Sequence, residues 1–183
     1  MKLIQIWCGE TNTDLYKKYE RSMDMVREMF LPNYERIIIK DMKGFFSPII
    51  VTDTVRIEYA TQEPEMLYAD CDIEFKKIPD FETGNGRPYF GHGIKGKINH
   101  CLFYVNNNTK FFQKIIDERN DRNLPYVHGW PMKIIRKKKV NVIPKNLYNH
   151  HCYTSTEIWR KYESGSDHPW ESVGANGRKV EWD

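Results

Sequence analysis

Two aspartates separated by one residue, Asp70 and Asp72, are the first candidates for chemistry in this sequence. They follow an apolar run, Met66 to Ala69, which predicts a strand. Because alternate residues of a strand point to the same side, we expect the two carboxylates to face one cation. A hard divalent ion prefers oxygen ligands and can neutralise a diphosphate leaving group. A D-x-D triplet often arises by chance, so the preceding strand is what favours a metal site here.

Asp53 and Arg56 form a second candidate pair. A helix is predicted from Thr52 to Ala60, with the Thr52 side chain as its N-cap. A spacing of three residues places the two charged side chains on one face of that helix. The carboxylate can accept hydrogen bonds from sugar hydroxyls, and the guanidinium can donate to phosphate or sugar oxygens. An ordinary surface ion pair has the same spacing, so other residues must decide between the two interpretations.

A third cluster contains His150, His151 and Ser155, near the end of a predicted strand. An imidazole can complete the ligand shell of a metal ion, and a hydroxyl can donate a hydrogen bond to phosphate. A lone histidine is usually structural, whereas two in tandem are more suggestive of a site.

The elements that would position these residues predict an α/β fold. Leu3 to Trp7 reads as a strand, and Ile37 to Ile39 reads as a buried strand. The helix predicted between them, from Thr13 to Phe30, has apolar residues at steps of three and four. These apolar residues are Leu15, Tyr19, Met23, Val26 and Phe30. A strand, a helix and a second strand make a βαβ opening, which favours a partly parallel sheet.

Further along the chain, a helix is predicted from Thr109 to Asn120 and a strand from Val140 to Ile143. The basic cluster from Lys133 to Lys139 is interpreted as a solvated turn between two strands. Residues 164–183 are rich in Gly, Ser, Asn and charged residues. We therefore predict a single domain over residues 1–163, followed by a loosely held tail.

The composition of the 183-residue chain excludes several classes of protein. Hydrophobic residues make up 40% and charged residues 29%, which argues against wholesale disorder. The formal net charge of +3 is too small to indicate a nucleic-acid partner. The four cysteines, Cys8, Cys71, Cys101 and Cys152, lie far apart, which favours a reducing compartment over a zinc or disulfide framework. Because the sequence shows no signal peptide and no membrane span, we expect a cytoplasmic protein.

Four stretches of the chain, in the same order, resemble glycosyltransferase family 32, which has a sugar-binding region with a D-x-D motif. Leu3 to Gly9 is similar to the family's opening strand, I-H-x-x-W-x-G. Thr52 to Arg56 is similar to its S-D-x-x-R helix, and Leu67 to Asp72 is similar to its Y-L-D-x-D. His150 to Ser155 is similar to its closing H-H-W-x-x-S-W, and His128 to Pro131 is a weaker echo of its T-G-P.

The resemblance implies a fold and an activity. The fold would be of the GT-A type, a twisted and mostly parallel sheet flanked by helices, with the donor site at the strand ends. The activity would be metal-dependent transfer of a sugar from a nucleotide-diphosphate donor, with retention of the anomeric configuration. Mn²⁺ or Mg²⁺ is the implied ion, and UDP-sugars are favoured over GDP-mannose as donors. The acceptor, a carbohydrate or glycoconjugate, is left open.

The resemblance also implies roles for individual residues. Trp7 would lie against the nucleobase, while Asp53 and Arg56 would hold the donor sugar and its phosphate. Asp70 would reach the ribose or the metal ion, and Asp72 would bind the metal ion directly. Asp53, Arg56 and Asp72 are therefore the candidate catalytic residues.

The closing motif would complete the site from the C-terminal side, with His151 as a further metal ligand and Ser155 as a donor-binding residue. The sequence departs from the family pattern in this motif, because Cys152 stands where the family has tryptophan. It departs again at Thr61 to Glu65, which replace the family's usual Tyr-Gly-Gly turn.

Two other functions match parts of the sequence. Asp53 with Glu74 and Lys76 fits the D…E-x-K pattern of Mg²⁺-dependent nucleases, in which the basic cluster would follow a phosphate backbone. That interpretation leaves Trp7 and Arg56 without a task. A nucleotide-sugar-binding protein without transfer activity would carry the same residues as the transferase.

Overall fold

The computed structural model describes residues 1–40, 48–82, 85–92, 97–126 and 129–150. The predictions for His128, His151, Cys152, Ser155 and the tail at 164–183 lie outside these residues. The strands are β1 (Lys2–Cys8), β2 (Tyr34–Ile39), β3 (Met66–Ala69), β4 (Ile73–Phe75), β5 (Tyr89–His92), β6 (Ile98–Tyr104), β7 (Asn141–Val142) and β8 (Tyr148–His150). The helices are α1 (Asp14–Phe30), α2 (Pro48–Gln62), α3 (Thr109–Asp121) and α4 (Trp130–Ile135), and a 3₁₀ turn spans Lys145–Leu147.

The βαβ opening predicted from the sequence is confirmed. Strands β1 and β2 pair in parallel, with Leu3 opposite Tyr34, and α1 connects them. The Thr13 hydroxyl caps α1 by accepting a hydrogen bond from the Tyr16 backbone N–H at 3.2 Å. Leu15 was predicted on the buried face of this helix, but it is 40% exposed. Tyr16 takes that place, because its ring packs against Trp7.

The central sheet has the strand order β2-β1-β3-β6-β5-β7 in the described part of the chain. Five of these strands run in one direction and β6 runs against them. The carboxyl ends of β1, β2 and β3 therefore meet the first residues of β6 at one edge, called the carboxyl edge below. There the Asp70 backbone N–H donates to the Cys101 carbonyl at 2.7 Å.

Each face of the central sheet is covered by its own hydrophobic cluster. Successive residues of β3 point to opposite faces, so Tyr68 belongs to one cluster and Leu67 to the other. The first face packs against α2, α3 and α4. The second packs against the C-terminal half of α1 and the small antiparallel β4–β8 sheet. Helix α2, which carries Asp53 and Arg56, is thus fixed directly over β1 and β3.

The structure corrects three predictions about these elements. Strand β2 is not buried: it lies at the edge of the sheet, and Ile38 is 41% exposed. Thr52 is not an N-cap, because α2 begins at Pro48 and the Thr52 hydroxyl donates to the Pro48 carbonyl at 2.7 Å. Lys133 lies in α4 rather than in a turn between strands, since the neighbouring apolar residues bury one face of a short helix.

No helix in the described ranges is both long enough and apolar enough to span a bilayer.

Candidate functional site

Asp70 and Asp72 lie in a tight turn at the carboxyl edge. Strand β3 ends at Ala69, and the Ile73 backbone N–H donates to the Asp70 carbonyl at 3.0 Å. The prediction that strand alternation aligns the two carboxylates is therefore wrong, because they occupy the first and third positions of a turn. The Asp70 side chain is 32% exposed, whereas Asp72 is only 8% exposed. Asp70 is thus the more accessible of the two carboxylates.

Arg56 connects helix α2 to this turn. Its Nη1 atom lies 2.8 Å from Asp70 Oδ1 and donates to the His100 carbonyl at 3.2 Å. The Tyr68 hydroxyl donates to the same Asp70 oxygen at 2.6 Å. Burial raises the pKa of Tyr68 well above its usual value, and the neighbouring Asp70 carboxylate adds to that shift. The hydroxyl therefore stays protonated and continues to hold Asp70 in place.

Asp53 lies on the inner side of Arg56 and is fully buried. Its Oδ1 atom forms an ion pair with Arg56 Nη2 and lies 3.4 Å from His100 Nε2. Its Oδ2 atom accepts a hydrogen bond from the Gly129 backbone N–H at 2.7 Å. An isolated carboxylate is very costly to bury, so these partners are what permit a charge at this position. The resemblance implied that Asp53 holds the donor sugar, whereas here its carboxylate is engaged by the protein.

The N-terminal side of the site is built from strand β1. Gln5 is buried, and its Nε2 atom donates to the Asp70 carbonyl at 3.2 Å while its Oε1 atom accepts from the Tyr34 hydroxyl at 2.9 Å. Trp7 is half-buried, with its ring 5.1 Å from the Tyr16 ring and 5.8 Å from the Tyr19 ring. Trp7, the predicted base-binding residue, thus lies on β1, which is the neighbour of strand β3 that leads into the Asp70–Asp72 turn.

Cys71, between the two aspartates, is a structural residue. It is buried, and its thiol donates to the Ile6 carbonyl at 3.4 Å. Burial raises the pKa of the Cys71 thiol, and the flanking carboxylates of Asp70 and Asp72 raise it further. The thiol therefore stays neutral and anchors the turn to β1.

The residues that could hold a metal ion are carboxylates. Asp70 and Asp72 bring carboxylate oxygens to the carboxyl edge. Oxygen donors suit Mn²⁺ or Mg²⁺. Within the described residues, no group of three or more His, Cys, Asp or Glu side chains forms a ready-made metal cage. A metal ion here would thus take further ligands from its substrate or from water.

Sequence reasoning did not identify Gln5, Tyr68 or His100 as parts of the site. Neither Gln5 nor His100 stands at a position that a motif would single out. Gln5 comes close to Asp70, and His100 to Asp53, only after strands distant in sequence have paired. Gly129 did have a signal, because it belongs to the stretch that echoes the family's T-G-P motif. Its φ of 70° lies in the left-handed region that favours glycine.

The sequence matches no protein-family model, and no curated protein is significantly similar to it. Among solved structures, the chain is similar to a glycosyltransferase involved in glycosylation of the major capsid of PBCV-1. That likeness covers 83% of this chain and 95% of the other, with 12% identity and a TM-score of 0.56. The chain is also similar to the apo form of the glycosyltransferase GlyE of Streptococcus pneumoniae TIGR4, with 12% identity and a TM-score of 0.52. This second likeness covers 78% of the chain but 45% of GlyE.

These likenesses confirm the predicted fold class. The chain has the GT-A type of α/β fold, with a mostly parallel six-stranded sheet flanked by helices in its described part. At this low identity the likenesses show the fold alone, and the resemblance to glycosyltransferase family 32 stays a prediction.

Proposed function

We propose that this protein is a glycosyltransferase that transfers a sugar from a nucleotide-diphosphate donor to a carbohydrate or glycoconjugate acceptor. The observation that carries the proposal is the Arg56–Asp70 contact of 2.8 Å at the carboxyl edge of a GT-A type sheet, beside Asp72. In open α/β sheets, ligands bind in the crevice outside the carboxyl ends of the strands. Both structural neighbours named above are glycosyltransferases, which supports sugar transfer as the reaction.

We propose that Asp70 and Asp72, with His151, hold Mn²⁺ or Mg²⁺ together with the donor diphosphate. A bound divalent ion would stabilise the negative charge that the diphosphate gains as it leaves. Asp72 is the buried member of the pair and would be the fixed ligand. Asp70 is held by Arg56 and Tyr68, so its carboxylate would be oriented before the ligand arrives.

Arg56 would act on the rate of transfer, and Asp53 would act as a positioning residue. Arg56 can only donate hydrogen bonds, so it suits phosphate or sugar oxygens on which negative charge grows during transfer. The contacts of Asp53 support a role as a positioning residue, because its carboxylate is bound by Arg56 and by the Gly129 backbone. Asp53 would keep the guanidinium at the carboxyl edge in a fixed orientation.

Trp7 would stack on the nucleobase, and Ser155 would donate to the diphosphate. We favour UDP-sugars over GDP-mannose as donors and retention over inversion, both on the family resemblance. No residue of the sequence can be nominated as a covalent nucleophile. Retention would then require the acceptor to attack the donor sugar from the face that the leaving group departs from. The departing phosphate would take up the proton that the acceptor loses.

The nuclease alternative requires Asp53 to face a metal ion and a phosphate backbone. Asp53 is instead fully buried, and its two oxygens contact Arg56, His100 and Gly129. This arrangement favours the transferase over the nuclease.

The experiment is a donor-hydrolysis screen across UDP-sugars and GDP-mannose, with Mn²⁺ or with a chelator. We expect slow release of the free nucleotide from at least one donor, dependent on Mn²⁺ and lost in Asp72→Asn. Binding of a donor without release, in the presence of varied sugar acceptors, would indicate the non-transferring binding protein. Cleavage of DNA with no donor binding would indicate the nuclease.

A further inference from the structure

A groove of about 530 Å³ with a basic lining lies beside strands β5, β6 and β7. Its cationic side chains come from the segments just before β5 and β6 and from the segment after α4. They are Arg87, Lys97, Arg136, Lys138 and Lys139. None of its residues is used in the proposed donor site.

Most of the positive charge in this groove is uncompensated. Lys138 is paired with Glu118 at 2.6 Å, and that hydrogen bond lowers the pKa of the Glu118 carboxyl. Within the part of the chain that the structure describes, no carboxylate forms an ion pair with Arg87, Lys97, Arg136 or Lys139. Four like charges around one concave surface repel each other, and an anion placed between them would relieve that repulsion.

The remaining lining favours a saccharide over a nucleic acid. Ile98, Val140 and Val142 give the groove an aliphatic wall, against which the C–H face of a sugar ring can pack. The described lining residues include no aromatic ring, although stacking platforms are what single-stranded nucleic acids use for their bases. The volume falls within the range of small-molecule sites, about 300–1,000 Å³, which suits an oligosaccharide end.

The groove adjoins the proposed donor site along strand β6. Ile98 lines the groove, and His100, two residues further on, has its ring near Asp53 and its carbonyl bonded to Arg56. Two residues of backbone span at most about 7 Å, and Ile98 packs against the same hydrophobic cluster as helix α2. A molecule bound in the groove would therefore reach towards the Arg56 cluster on the same face of the sheet.

We infer that this groove binds the acceptor, and that the acceptor is a glycan carrying an anionic group, either a carboxylate, a sulfate or a phosphate. The inference rests on the proposed function for the acceptor role, while anion binding in the groove can be tested without any donor. The cations would fix the anionic group, and the aliphatic wall would position the adjoining sugar ring.

The test compares matched glycan pairs that differ only in charge. Trigalacturonate is titrated against its neutral methyl ester, lactose 3′-sulfate against lactose, and glucose 6-phosphate against glucose, by calorimetry without donor. We expect the anionic member of at least one pair to bind the wild-type protein at least tenfold more tightly than its neutral partner. No preference for the anionic member in any pair would overturn the inference.

Two double variants locate the binding. Arg136→Glu with Lys139→Glu changes the groove, and Lys133→Glu with Lys137→Glu changes exposed residues of the same basic run outside it. Each replaces two positive charges by two negative ones, so the formal net charge falls from +3 to −1 in both. We expect the groove variant to lose at least tenfold in anion affinity and the control less than twofold, with similar thermal melting curves.

Equal losses in the two variants would overturn the inference, because the protein would then attract anions through its overall charge. Tighter binding of an eight-residue oligothymidylate than of any glycan, lost only in the groove variant, would replace the glycan by single-stranded nucleic acid. Failure of the wild-type protein to bind UDP with Mn²⁺, measured separately, would contradict the proposed function and leave the groove result standing.

Discussion

The Arg56 guanidinium lies 2.8 Å from the Asp70 carboxylate and forms a second ion pair with the buried Asp53 carboxylate. One cation thus joins helix α2 to the turn after β3, and its charge is shared by two anions. Asp72 follows Asp70 by two residues. Carboxylate oxygens at the carboxyl edge suit a divalent cation that carries a diphosphate with it.

Asp53→Ala is expected to destabilise the fold strongly. Removing one partner of a buried ion pair leaves an uncompensated charge, which costs about 3–5 kcal/mol in the free energy of unfolding. Urea denaturation followed by circular dichroism measures this loss. Asp117→Ala is the matched control, since Asp117 is exposed on α3, and its loss should stay within about 0.5 kcal/mol. Similar losses in the two variants would contradict a charged Asp53–Arg56 pair.

Gly129→Ala tests whether the left-handed backbone at Gly129 matters for the site, with Gly86→Ala as its control. Gly129 has a φ of 70° and Gly86 a φ of 59°, and an added Cβ would meet nothing within 4 Å at either position. Both alanine variants should therefore lose about 1 kcal/mol of stability through backbone strain. Only at Gly129 would a strain-driven shift of the backbone displace an amide that donates to Asp53, so only Gly129→Ala should also slow donor turnover. Equal turnover in the two variants would show that strain at the Gly129 backbone does not disturb the site.

Trp7→Ala tests the base-binding role. Stacking of a base on an aromatic ring contributes about 1–3 kcal/mol, so the variant should bind free UDP and the UDP-sugar more weakly by the same factor. Trp7→Phe keeps a ring at this position and should retain most of the affinity. Should Trp7→Ala lower thermal stability and leave UDP affinity unchanged, Trp7 serves only to pack against Tyr16 and Tyr19.

The buried thiols Cys8 and Cys71 are expected to resist alkylation in the native protein. Burial raises the pKa of Cys8 to about 12, so about one thiol in ten thousand is ionised at pH 8. Raising the pH from 8 to 10 populates the thiolate and should speed alkylation of Cys8 about tenfold per pH unit. Peptide mapping after iodoacetamide treatment measures each site, with protein in guanidinium chloride as the control. Labelling at pH 8 as fast as in denaturant would contradict this burial.

Local patterns predicted much of this fold. Apolar steps of three and four gave the bounds of α1 to within one residue, and the run before Asp70 gave the bounds of β3. The start of α2 was missed, since the helix was predicted from Thr52 and begins at Pro48. Proline is tolerated at the first helical position, where its missing N–H would have no partner in any case.

The direction of β6 and the composition of the site could not be derived in the same way. Strand direction depends on pairing with β3 and β5, and the sequence of β6 carries no local mark of it. His100 comes close to Asp53 only through that pairing. The spacing of Asp70 and Asp72 does not show whether they lie in a strand or a turn, because that depends on where β3 stops.

Titration of UDP in the presence of Mn²⁺, by calorimetry, tests the central claim most directly. The proposal predicts that wild-type protein binds UDP only with Mn²⁺, and that Asp72→Asn weakens this binding at least tenfold, about 1.4 kcal/mol. Asp80→Asn, at an exposed position outside the turn, should bind as the wild type does. Unchanged UDP affinity in Asp72→Asn, or binding by the wild type that is indifferent to Mn²⁺, would contradict a metal-dependent donor site at Asp70 and Asp72.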